Sequence, residues 1–171
     1  MRKILPFLLA GLGILALVFL YLIANREKRY PELTFTLLNN AETQWYNAGI
    51  TDYRLVVDVE FSTERRRHAI TVRNGEIIEA TLSYWDKGAW GEPDSMNLEQ
   101  AIQYTVPGLF NSLRQEINLD FREELRVDMN TDPAYPRYIY LGQVWQDGEP
   151  MPESEARFSV TEFELLLTTL P

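Results

Sequence analysis

The residues best suited to recognition chemistry lie in Trp85-Asp-Lys-Gly-Ala-Trp-Gly-Glu-Pro-Asp, residues 85–94. Two indoles, Trp85 and Trp90, flank the carboxylate of Asp86 among glycines and a proline. Amphipathic rings on loops are typical of recognition surfaces. Large aromatics also fold over the open end of a sheet, which is the plainer reading. Arg65-Arg66-Arg67 is the basic run of the chain beyond residue 30, suited to an acidic partner or to lipid headgroups. In a turn, where the pattern places them, three such charges are ordinarily just solvated. Trp85, Asp86, Trp90, Arg65, Arg66 and Arg67 form the candidate ligand- or partner-binding set.

Catalytic chemistry finds no footing. His68 is the sole histidine, and one histidine without other strong ligands does not assemble a zinc site. A structural or edge-strand role is expected for it. The lack of cysteine excludes disulfides, thiolate metal sites, cysteine nucleophiles and a lipid-anchoring cysteine. Asp128-Met-Asn-Thr-Asp invites a calcium reading, but Pro133 stands where the EF-hand needs glycine and Ile139 where it needs glutamate. The serines lie in no nucleophile elbow. No catalytic residue, metal or cofactor is implied, and the expectation is a protein that is not an enzyme.

Charge narrows the partners. Of 16 basic and 25 acidic residues, residues 1–29 hold five and one, leaving a net −13 for residues 30–171. Phosphate backbones would repel such a domain, so nucleic acid is not an expected partner. Residues 4–24 carry no charge, enough to span a bilayer. Leu22-Ile23-Ala24 lacks the small residue that signal-peptide cleavage needs at −3, which favours an uncleaved anchor. The expected division is a membrane anchor with its juxtamembrane segment, residues 1–29, and an acidic domain, residues 30–171. Basic residues are balanced across the span, three charges on each side, so orientation is not set by them.

The elements that position these residues follow from periodicity. Leu33, Leu37, Leu38, Ala41 and Trp45 recur at helical spacing, with Gly49 suited to the helix end. Trp45 is read as a core aromatic. Tyr53, Leu55, Val57, Val59 and Phe61 alternate as a strand with one buried face. Asn74-Gly75 marks a hairpin with two competing registers. A two-residue loop pairs Val72 with Ile77; a three-residue loop with a bulge pairs Val72 with Glu76 and Ile70 with Ile78. Burial favours the second, and direct pairing of Arg73 with Glu76 would overturn it. Asn97 and Thr105 each open a short helix, the second striped by Val106, Leu109, Phe110, Leu113 and Ile117. Later strands are expected from Phe121 to Met129, Tyr138 to Val144 and Ala156 to Val160, with residues 132–136 as a turn and 146–154 as a polar loop. At Thr161 the spacing changes, and Thr161-Glu-Phe-Glu reads as a capping box for a short C-terminal helix, with a continued, bulged strand as the alternative. The fold class is α+β: one antiparallel sheet of about six strands, ordered α-β-β-β-α-β-β-β, with helices on one face.

Trp45 with Ala48-Gly-Ile-Thr-Asp-Tyr-Arg, then Ile70-Thr-Val-Arg-Asn-Gly-Glu-Ile, resembles a family of uncharacterised bacterial extracytoplasmic domains of unknown function. Thr105-Val-Pro-Gly-Leu-Phe, Asp132-Pro-Ala-Tyr-Pro and Phe158-Ser-Val-Thr-Glu-Phe extend the likeness over about residues 41–163. Many members carry a cysteine pair after the first strand, where this chain has Phe61-Ser-Thr-Glu-Arg. The resemblance implies a fold and a compartment outside the cytoplasm, and no activity. Three functions are expected in descending order: a membrane-anchored accessory or binding domain with a membrane-protein partner, a small-molecule or glycan binder at Trp85 and Trp90, and a carboxylate hydrolase.

Overall fold

The computed structural model describes residue 15 and residues 17–21, 27–119 and 122–167. The chain parts into two compact units, Met1–Pro31 and Glu32–Pro171. In the first, residues 15 and 17–21 are helical and exposed, and a 3-10 turn spans Glu27–Arg29. The expected anchor, residues 4–24, lies mostly outside the described residues. Among those described, no helix is long and apolar enough to cross a membrane.

In the second unit, local signals set the element ends. Thr34 caps α1 (Phe35–Ala48), its hydroxyl accepting from the Leu37 N–H at 3.2 Å, and Gly49 closes it at φ 62°. Leu38, Ala41 and Trp45 form its buried stripe. β1 (Tyr53–Phe61) keeps the expected alternation, burying Tyr53, Leu55, Val57 and Val59. Asn97 caps α2 (Leu98–Ala101), and Thr105 caps α3 (Val106–Glu116) by accepting from the Gly108 N–H at 3.1 Å.

The hairpin of β2 (Arg65–Arg73) and β3 (Glu76–Asp86) corrects the expected register. Arg73 pairs with Glu76 and Val72 with Ile77. Asn74 and Gly75, at φ 52° and 79°, make a two-residue turn, which this dipeptide favours above other sequences. The parity this sets is then reversed by a bulge at Ile78, so Thr71 meets Glu79 and Ile70 meets Ala80. Ala80 is buried, whereas Ile78 is 59% exposed. Burial still selects the face, through a bulge placed beyond the turn.

The C-terminal helix is also corrected. Residues 156–165 form β10 (Ala156–Leu165), paired along the whole of β1. A register shift opposite Val56 and Val57 leaves Thr161 as the extra residue. That shift keeps Val160 and Phe163 both against the core. The backbone groups along the edge of β1 require partners, and this outweighs the local capping signal. β6 (Leu125–Thr131) and β7 (Ala134–Leu141) turn through Asp132-Pro133 alone, so Tyr135 and Pro136 are strand residues rather than turn. The expected polar loop contains a small hairpin, β8 (Trp145–Gln146) with β9 (Glu149–Pro150). Phe121 lies outside the described residues.

With β4 (Ala89–Trp90) and β5 (Asp94–Ser95), the sheet runs β4-β3-β2-β1-β10-β7-β6, β5 lying on β3, and its pairings are antiparallel. The core joins Leu38 and Trp45 of α1 and Phe110 and Leu113 of α3 to one face of the strands. Trp45 meets Tyr53 edge-on at 5.3 Å and Phe163 at 6.1 Å, while Tyr135 stacks on Phe163 at 4.5 Å. The Tyr53 hydroxyl meets Thr105 and the Val106 backbone, and burial pushes its pKa up to about 12.

Candidate functional site: the open face of the sheet

Strand alternation divides the arginine run. Arg65, Arg66 and Arg67 open β2 instead of lying in a turn, opposite Glu60, Val59 and Asp58 of β1. Flanking strands supply ladder hydrogen bonds that these residues would lose in a loop. Arg65 and Arg67 therefore point to the face away from the helices, with Asp58 and Glu60. Arg66 points with Val59 and His68 to the helix-covered side. There it pairs with Glu64 and lies 5.2 Å over Phe61, and the Glu64 hydrogen bond raises its pKa.

The tryptophan segment is a hairpin, not an irregular loop. Lys87 and Gly88, at φ 48° and 89°, turn β3 into β4, so Trp85 pairs with Trp90 across the ladder. Their rings meet edge-on at 5.1 Å. The Arg65 guanidinium lies 5.0 Å from the Trp85 ring and 5.6 Å from the Trp90 ring; Arg67 lies 4.3 Å from Trp90. A cation over an indole face is attracted by the ring quadrupole. Four of the six candidate residues thus converge. Asp86 does not join them: it is exposed, with Lys87 3.7 Å away.

The two converging arginines differ in chemistry. Arg67 donates to both oxygens of Asp58, at 2.7 and 2.8 Å, and the carboxylate raises its pKa. Arg65 has no carboxylate partner among the described residues. Every other arginine between residues 32 and 167 has one. The Arg65 Nε is buried without a hydrogen bond. This is a guanidinium held by aromatic faces with hydrogen-bonding capacity to spare, which suits anion recognition.

The covered side offers a second feature that sequence reasoning missed. A cavity of about 280 Å³ opens between α3 and the sheet, walled by Phe61, Tyr104, Leu109, Leu113, Ile139 and Phe158. Tyr104 in that wall stacks on His68 at 3.6 Å. His68 is 1% exposed and neither ring nitrogen has a partner. Burial lowers its pKa to about 4, the Arg66 charge adding to the effect and Asp58 opposing it. The alternation of β2 signals an inward His68; its stacking partner, 36 residues on, leaves no local trace. No group of three or more metal-ligating side chains occurs among the described residues, and none of their carboxylates is buried. A hydrolase site of two buried acidic groups is therefore not found among them.

Several residues that carried the family resemblance take up structural positions. Trp45 and Tyr53 pack edge-on, Gly49 ends α1, Arg54 pairs with Glu162 at 2.8 Å, and Asp52 accepts from Thr51 at 2.6 Å. A model described as a family of unknown function, DUF6174, matches residues 37–149, well over half of the chain. No curated protein matches. The chain belongs to this family of unknown function, DUF6174.

Proposed function

We propose that the chain is a membrane-tethered, extracytoplasmic binding domain that serves a membrane or envelope complex as a non-catalytic accessory subunit. The observation that carries this reading is the convergence of Trp85, Trp90, Arg65 and Arg67 on the sheet face away from the helices. Clustered tryptophan and arginine are the residues most often found at the energetic centre of an interface. The 21 uncharged residues from 4 to 24 support the tether. The likeness to extracytoplasmic domains supports the placement outside.

The test is purification of the tagged full chain from native membranes in a mild detergent, beside a Trp85→Ala plus Trp90→Ala variant with an unchanged circular dichroism spectrum. A stoichiometric membrane-protein partner that the variant loses is the expected result. A partner held equally by both would move the interface elsewhere. Purification as a lone monomer would favour the second reading, a small-molecule or glycan binder at the same tryptophans, which the 38% exposure of Trp85 supports.

A further inference from the structure

Resting on the reading of this face as a recognition surface, we infer that Arg65 is the anchor for a single carboxylate borne next to an apolar or aromatic group. Three observations lead there. Among the described residues, Arg65 lacks the carboxylate that each other arginine of residues 32–167 has. Glu60 sits directly across the ladder and is exposed, yet the two make no ion pair; the guanidinium lies toward the indoles instead. The Nε edge is buried, so the terminal nitrogens remain as the fork that meets a ligand.

The chemistry of the ligand follows from the surroundings. A planar guanidinium matches a carboxylate with two parallel hydrogen bonds. Trp85, 38% exposed, provides a flat wall beside that fork for the apolar part of the ligand. Local charge limits the anion to one unit. Arg67 is neutralised by Asp58, Glu60 stands nearby, and residues 30–171 carry a net −13. The desolvation cost of an anion rises roughly with the square of its charge, whereas its attraction to a single guanidinium rises only in proportion. The ligand class is an organic monocarboxylate, whether a small acid or the free C-terminus of a peptide.

The experiment titrates the full chain, in a non-ionic detergent, with N-acetyl-phenylalanine, its amide and phenyl phosphate, following the indole N–H signals by NMR. N-acetylated peptides that end in phenylalanine, as free acid and as amide, separate a peptide source from a small acid. The acid is expected to bind saturably and about tenfold more tightly than the amide, the ratio that one charge-assisted fork supports. Arg65→Gln should erase the difference, and Arg65→Lys should lose most of it because an ammonium offers no fork. Glu60→Gln should tighten the acid severalfold by removing a nearby negative charge, an effect a merely structural role for Arg65 would not produce. Equal binding of acid and amide, tighter binding of phenyl phosphate, or no saturable binding of the acid would each overturn the carboxylate assignment. Such failure leaves the surface reading to its own criterion, the loss of a partner in the double tryptophan variant.

Discussion

Replacing His68 with phenylalanine should remove most of the acid sensitivity of this fold between pH 7 and pH 5. The imidazole is 1% exposed, stacked on Tyr104, and has no hydrogen-bond partner for either nitrogen. Burial is the main reason its pKa falls from 6.5 to about 4. Between those values the unfolded chain binds a proton that the folded chain refuses. Stability from the neutral ring is thus complete above pH 6.5 and lost as pH falls toward 4. At 1.36 kcal/mol per pKa unit, the loss from pH 7 to pH 5 is about 2 kcal/mol. Ordinary carboxylates contribute little in that range because they titrate lower. His68→Phe keeps the stack and removes two unsatisfied nitrogens, so stability at pH 7 should stay within about 1 kcal/mol of wild type. Urea unfolding at both pH values measures the difference, and NMR follows the ring directly, since the chain has one histidine. An imidazole that titrates near pH 6.5, or equal acid sensitivity in both proteins, would refute the reasoning.

Three further outcomes are expected. Arg122, whose side chain is 7% exposed, donates to Glu116 at 2.7 Å and to the carbonyls of Gly142 and Ser154 at 2.5 and 3.0 Å. Arg122→Ala should cost roughly 3 kcal/mol by leaving partly buried acceptors, one of them charged, unpaired, with hydrogen exchange rising first across residues 142–154. A Cβ at Gly108 would meet the Ile102 carbonyl oxygen at 1.9 Å, so Gly108→Ala should destabilise by about 1–3 kcal/mol or more in urea, whereas Gly91→Ala, with its nearest contact at 3.4 Å, should be nearly neutral. Trp45→Ala should cost about 3–5 kcal/mol, because the ring is 2% exposed and packs on both Tyr53 and Phe163; a smaller loss in thermal or urea unfolding would mean the site collapses around the void.

Much of the fold is legible in the chain because its causes are local. Gly49 ends α1, Asn97 and Thr105 start the next helices, and alternation from Tyr53 to Val59 fixes the buried face of β1. Local signals fail where a neighbouring strand has the stronger claim. The capping box at Thr161 gives way to pairing with β1, and the arginine run becomes a strand because β1 and β3 flank it. Asn74-Gly75 located the hairpin, but its two-residue loop, in place of the expected three-residue one, works only with the compensating bulge at Ile78, which depends on what Ala80 must bury against.

The sequence by itself determined the net charge, the buried face of β1 and the starts of the helices at Asn97 and Thr105. Only the tertiary structure decided which of the candidate residues meet. Strand parity sends Arg65 and Arg67 to one face and Arg66 to the other, and the tight turn at Lys87-Gly88 brings Trp90 back beside Trp85. Arg66 and Arg67 find carboxylates close by in the chain, Glu64 and Asp58, whereas Arg65 turns from Glu60 to two indoles 20 and 25 residues on, a choice that residue order does not signal. That is why Arg65, one basic residue among three in the sequence, stands apart from them in the folded protein.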